Sequence, residues 1–213
     1  MENLKNYIAH IGTDESGKGD FFGPLVIAGV LVDEVAAEKF KALGIKDSKT
    51  ISDKKILMFA QEIKKMSPHS VIAISNQKYN ELYLKFRNLN KLLAWGHAKV
   101  IENILESNSC EYALSDKFGD ESLIQNALQT RGRGIRLEQM TKAESDIAVA
   151  AASVLARATF VEKMAKMSEE YGCQFPKGAS AQVKVVASEF IQKYTKQRLV
   201  EVCKTHFKTY NEV

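Results

Sequence analysis

Short apolar runs rich in Val, Ile, Leu and Tyr punctuate the first two thirds of the chain: residues Tyr7 to Thr13, Leu25 to Val32, Val71 to Ser75, Glu111 to Ser115 and Gly134 to Glu138. Turn residues lie near each run, so each predicts a strand. The first two are separated by Asp20-Phe-Phe-Gly-Pro24, which predicts an antiparallel pair. Later runs alternate with helical patterns, which predicts parallel additions to the same sheet. Between Asn88 and Glu106 the period changes: Leu89, Leu93, Val100 and Ile104 form a helical stripe, with Asn88 as N-cap. A second helix is expected from Ser145 to Met167. Its first half carries Ala148, Ala150, Ala151, Ala152, Ala156 and Ala158, small enough to let a sheet and another helix approach closely. A third helical region follows Lys177-Gly178, and a fourth is expected over Arg198 to His206. No linker or internal repeat divides the chain. The expectation is one α/β domain, residues 1–213, whose part from about 170 to 213 is helical.

A chain of 213 residues suffices for one domain with a substantial core. No apolar run is long enough to span a bilayer, and Met1 to Asn6 carries no apolar signal core, so a cytoplasmic location without a membrane partner is expected. The net charge of +4 permits nucleic-acid binding without requiring it. The charge is uneven: from Lys177 onward stand Lys184, Lys193, Lys196, Arg198, Lys204 and Lys208 against Glu189, Glu201 and Glu212. Taken alone, that excess reads as a solvated helical face. Cys110, Cys173 and Cys203 are odd in number and not at metal-ligand spacing, so they read as reduced thiols. His10, His69, His97 and His206 are equally scattered and suggest neither an imidazole metal site nor a His-centred triad.

The chemistry is concentrated in carboxylates. Gly12-Thr-Asp-Glu-Ser-Gly-Lys-Gly-Asp20 places adjacent acids Asp14 and Glu15 at the end of a buried strand, followed by a glycine turn. Neighbours in a strand face opposite ways, so both reach one cluster only if the strand ends or bulges there. Gly17 and Gly19 permit such a distortion and let backbone N–H groups approach a phosphate or sugar. Read alone, the segment favours a hairpin with solvated acids. A P-loop is rejected, because the spacing and the following Ser or Thr are missing. Asp116 ends a strand, a position that often feeds an active site in α/β sheets. Glu144 precedes the alanine-rich helix and reads equally as a dipole-compensating acid. If the four converge, they offer the oxygen ligands that hard divalent ions want, and two such ions can hydrolyse a phosphodiester.

At these residues the chain resembles ribonuclease HIII. Gly12 to Pro24 is similar to that family's opening signature, where the type 2 enzymes usually carry Arg between the two glycines. Asp47-Ser48-Lys49 is similar to a motif of both types. Tyr79-Asn80, Asn88 to Trp95, Lys142 to Ser145 with Ala148 to Ser153 and Ala156-Arg157, Pro176 to Ser180, and His206 to Thr209 look like type 3. Type 2 enzymes normally carry Asp at the position of Glu144.

The resemblance covers nearly the whole chain. It implies a ribonuclease H fold, with a five-stranded mixed sheet flanked by helices, and an endoribonuclease that cuts the RNA strand of RNA–DNA hybrids. It implies Asp14, Glu15, Asp116 and Glu144 as catalytic, metal-binding residues for Mg²⁺ or Mn²⁺. Asp120 and Asp146 rank below them. It further implies substrate contacts from Gly17, Lys18, Gly19, Lys49, Lys177 and Ser180. The expected partner is the hybrid itself, bound by a monomer with no obligate protein partner. The family commonly has a further N-terminal substrate-binding domain; only about eleven residues precede the signature here, so that domain is not expected in this chain. Lys184 stands where an acid is expected. The alternatives are a ribonuclease HII-like junction enzyme, argued against by Glu144 and Ala179; a hybrid-binding module without catalysis, argued against by the acidic set; and a DNA nuclease of the same fold, which no motif supports.

Overall fold

The computed structural model describes residues 9–46, 48 and 51–213. Five strands form one sheet: β1 (Ala9–Ser16), β2 (Leu25–Asp33), β3 (His69–Ile74), β4 (Tyr112–Asp116) and β5 (Arg136–Met140), in the order β3-β2-β1-β4-β5. The β1–β2 pair is antiparallel, and β4 and β5 add in parallel, as the sequence predicts. β3 is a correction, since it pairs antiparallel with β2. The chain reverses between them through α1 (Glu34–Leu43) and α2 (Asp53–Met66), both on one side of the sheet, rather than through a crossover to the far edge.

Helices α3 (Asn76–Phe86) and α4 (Leu89–Leu105) follow β3, and Asn88 caps α4 by accepting from the Lys91 amide at 3.1 Å. α5 (Glu121–Ala127) connects β4 to β5. The alanine-rich helix α6 (Ile147–Tyr171) starts two residues later and ends four later than expected, because Asp146 caps it. α7 (Ala181–Tyr194) follows. The fourth predicted helix is only Lys196–Leu199; a turn then leads to a bridge between Cys203 and Phe22 and a last short helix, Lys208–Glu212.

Two apolar layers sandwich the sheet. Val26, Ala28 and Val30 pack with α1, α2, α6 and α7 on one face, while Leu25 and Ile27 pack with α3 and α4 on the other. The closest approach is at Gly12: a Cβ there would lie 2.1 Å from the Ala148 carbonyl carbon. β1 therefore touches the first turn of α6 directly, and only glycine fits between them. No described helix is long and apolar enough to cross a membrane.

Candidate active site

The β1–β2 register runs unbroken from Ala9↔Asp33 to Ser16↔Val26. No bulge turns Asp14 and Glu15 the same way, and the strand does not end at them, so the condition for both acids to share a face is not met. Cross-strand partners share a face. Asp14 pairs with Ala28 and looks toward α6; Glu15 pairs with Ile27 and looks toward α4.

On the α6 side, Asp14 accepts from the Glu15 amide at 2.8 Å and from the Ser153 hydroxyl of α6. Loss of surrounding water, reinforced by the charges of Glu15 and Asp116, pushes its carboxyl up to about 7. Asp116 ends β4, the parallel neighbour of β1, and accepts from the Ala143 amide at 3.2 Å. Ala143, Glu144 and Ser145 form a single 3-10 turn, so this bond sets Glu144 one residue from Asp116. Asp14 and Asp116 thus share a face at the carboxyl ends of parallel strands, and the turn that carries Glu144 adjoins Asp116. Among the described residues, no three His, Cys, Asp or Glu side chains are drawn together tightly enough to hold a metal as they stand.

The dipole role that competed for Glu144 falls to Asp146, whose carboxylate accepts from the Ala148 and Val149 amides at 2.9 and 3.1 Å and pairs with His10 at 3.0 Å. Asp120 caps α5 through the Ser122 amide at 2.9 Å. Both lower-ranked acids have structural work.

On the α4 side, Glu15 Oε2 lies 3.2 Å from Nε2 of the fully buried His97, and Oε1 lies 3.3 Å from Lys18 Nζ. Burial would raise the Glu15 carboxyl, but His97 and Lys18 outweigh it and hold the group below the usual range. His97 and Ser153 are the residues the sequence reading missed. His97 carried no spacing signal, because its partner is 82 positions away. Ser153 had one faint signal: a hydroxyl standing in an alanine run.

The glycine turn lies beside both acids. Gly17 has φ +89°, and a Cβ there would meet the Pro24 carbonyl at 2.2 Å; Gly19 is exposed and open. Asp20 accepts from the Gly178 amide at 2.6 Å, and Phe21 N–H donates to the Gly178 carbonyl at 3.0 Å, which joins this turn to the Lys177–Ser180 segment. Lys177 Nζ lies 2.9 Å from Asp53, which Arg157 also holds at 2.8 Å. Ser180 is exposed at the start of α7 and makes no side-chain capping bond. Ser48 shares a hydrogen bond with Ser153 at 2.8 Å, and its carbonyl accepts from Arg157. Lys49 lies outside the described residues. The basic C-terminal stretch is not one solvated face: Lys204 is fully buried, and Lys184 pairs with Glu212 at 2.6 Å.

The sequence profile of the Ribonuclease HII family matches residues 11–210. The chain belongs to this family. It is similar to the Ribonuclease HIII of Protochlamydia amoebophila (strain UWE25), 45% identical over 204 residues that cover 96% of this chain and 68% of that protein. Among solved structures it resembles Bst-RNase HIII in complex with Mn2+, with a TM-score of 0.89 and 33% identity over 97% of this chain and 69% of the other. The ribonuclease H2 from Pyrococcus horikoshii OT3 shares the fold, with a TM-score of 0.80 at 22% identity over 96% of both chains. The type 3 resemblance therefore holds, and with it the ribonuclease H fold and a nuclease activity. The chain spans a little over two thirds of the ribonuclease HIII sequence and structure named here.

Proposed function

We propose that this ribonuclease HIII-type chain hydrolyses the RNA strand of RNA–DNA hybrids at an acidic centre of Asp14, Asp116, Glu144 and Glu15, with Mg²⁺ or Mn²⁺ in a two-ion site. The observation that carries the reading is the α6-side group. Asp14 is desolvated, faces further negative charge and sits above its ordinary carboxyl range. Oxygen donors with an uncompensated charge fit a hard divalent cation. The Mn²⁺ in the Bst-RNase HIII structure supports the same choice.

Bound divalent ions supply Lewis acidity and a nucleophilic water at neutral pH. Asp14, near the end of β1, Asp116, at the end of β4, and Glu144 would hold the ions. The Ser153 hydroxyl beside Asp14 favours its ionised form. Gly17, Lys18 and Gly19 present backbone and an ammonium to the ribose and phosphate beside the acids. The 2′-hydroxyl there separates RNA from DNA. Lys177, Ser180 and Lys49 hold the phosphate backbone and carry no base information. The products carry 5′-phosphate and 3′-hydroxyl ends.

Specificity follows from the segment after Lys177-Gly178. Ala179 is exposed there, and its methyl cannot stack on a sugar. Tyr171, a ring that could substitute, is buried against Phe175, Phe190 and Tyr194. Lys18 is a point charge without the bidentate fork of arginine. Efficient cleavage is expected where several ribonucleotides pair with DNA, and poor cleavage at one embedded ribonucleotide. An assay on hybrid, single-ribonucleotide duplex, duplex RNA and duplex DNA, in Mg²⁺ or Mn²⁺, tests this. Equal rates on the first two substrates would assign the chain to the junction-cutting type, and hybrid left uncut in both metals would end the reading.

A further inference from the structure

His97 is a fully buried titratable group that the proposed chemistry does not use. Its depth is set by Gly96, where a Cβ would fall 2.5 Å from Ile27 Cδ1, so α4 lies directly on β2. Nδ1 of the ring is 2.8 Å from Thr13 Oγ1, and Nε2 is 3.2 Å from Glu15 Oε2. The ring face stacks on Phe118 at 4.9 Å and 24°. A buried imidazole with both nitrogens partnered and one face covered has a single orientation. Glu15 then reaches Lys18 with its other oxygen, and the Lys18 ammonium also lies 5.8 Å from the centre of the Phe118 ring.

We infer that His97 is a positioning residue for substrate capture: it fixes Glu15 and Phe118, and these two hold the Lys18 ammonium at the Gly17–Gly19 turn, ready for a phosphate of the hybrid backbone. The inference rests on the hybrid reading above. A free lysine spreads over many rotamers and loses that freedom when it is held. A lysine already gripped between a carboxylate and a ring loses less of it when the phosphate arrives, so the contact strengthens.

The test is hybrid affinity in EDTA, measured by fluorescence anisotropy across a salt series. Lys18→Ala should weaken binding several-fold and lower the salt slope by about 0.9, one phosphate contact. His97→Asn keeps an amide near Thr13 but cannot reach Glu15; it should lower the slope by the same amount, with no further loss when combined with Lys18→Ala. His97→Gln, whose amide reaches the Nε2 position, should restore the slope. A merely structural His97 would lower the melting temperature and leave the slope alone, and that result overturns the inference, as do additive losses. If His97→Asn does not fold, Thr13→Val decides by the same criteria, since it releases the ring from its other anchor. An unchanged slope in Lys18→Ala removes the contact that His97 is said to set. Failure of the wild-type chain to bind hybrid would instead fell the functional reading, and the inference with it.

Discussion

Asp14 and Glu15 are neighbours in sequence, yet their surroundings push their carboxyls in opposite directions. Asp14 faces α6, where its partners are a hydroxyl, an amide and a second acid, and it rises to about 7. Glu15 faces α4, where an imidazole and an ammonium hold it low. One side of the sheet leaves negative charge unbalanced; the other balances it internally. Paired acids whose environments separate them in this way mark a division of labour. The α6 side is short of one positive partner, which a cation from solution supplies. The α4 side already contains its own, His97 and Lys18, and borders the glycine turn.

The largest effect that tests this contrast is on turnover. Asp14→Asn should lower hybrid cleavage by orders of magnitude, whereas Asp120→Asn and Asp146→Asn should stay within a few-fold, since Asn is an equally good N-cap. Near-normal turnover by folded Asp14→Asn protein would break the comparison outright.

Stability should move the other way. The raised carboxyl means that the folded state holds a proton that the unfolded state has lost between pH 3.8 and about 7. Metal-free stability therefore falls as pH rises through that window. In EDTA, Asp14→Asn should melt above the wild type at pH 8, with the gap closing toward pH 4; a gap that ignores pH sinks the assignment. The same proton competes with metal, so Mn²⁺ affinity measured by calorimetry should drop about tenfold per pH unit below about 7. A flat profile over that range would mean Asp14 is ionised without metal.

Smaller effects sharpen the picture. Ser153→Ala removes a hydroxyl that favours the ionised Asp14, so the acid limb of the pH–rate profile should shift to higher pH. Lys177→Ala should reduce the salt slope of hybrid binding by about 0.9 and leave turnover on saturating substrate nearly intact. An unchanged slope takes Lys177 out of the interface.

Much of this was legible in the chain. Alternating Val and Ile, the α4 stripe and the alanine run located four of the five strands in their correct sense and the two central helices, because those signals are local. The sense of β3 was not legible, since pairing is decided by which side α1 and α2 pack on. The site acids were read partly through motif resemblance; the structure sets Asp14 and Asp116 on neighbouring parallel strands and the Glu144 turn beside Asp116. The opposite facing of Glu15 followed from strand alternation, since β1 keeps its register to Ser16 without a bulge. His97, Ser153 and Lys204 were invisible as site parts, because each meets its partner across 82 or more positions of sequence.

Lys204 has a consequence in time. Its fully buried ammonium donates to the carbonyls of Asp20 at 2.8 Å and Gly23 at 2.6 Å, 184 and 181 positions earlier, while Cys203 bridges Phe22. During synthesis the turn that carries Gly17, Lys18 and Gly19 leaves the ribosome well before the residue that closes it, which follows Gly23 by 181 positions. A nascent chain therefore displays its acids long before it can shape the turn beside them. The turn takes its final shape only after Lys204 has been made and has folded back onto it.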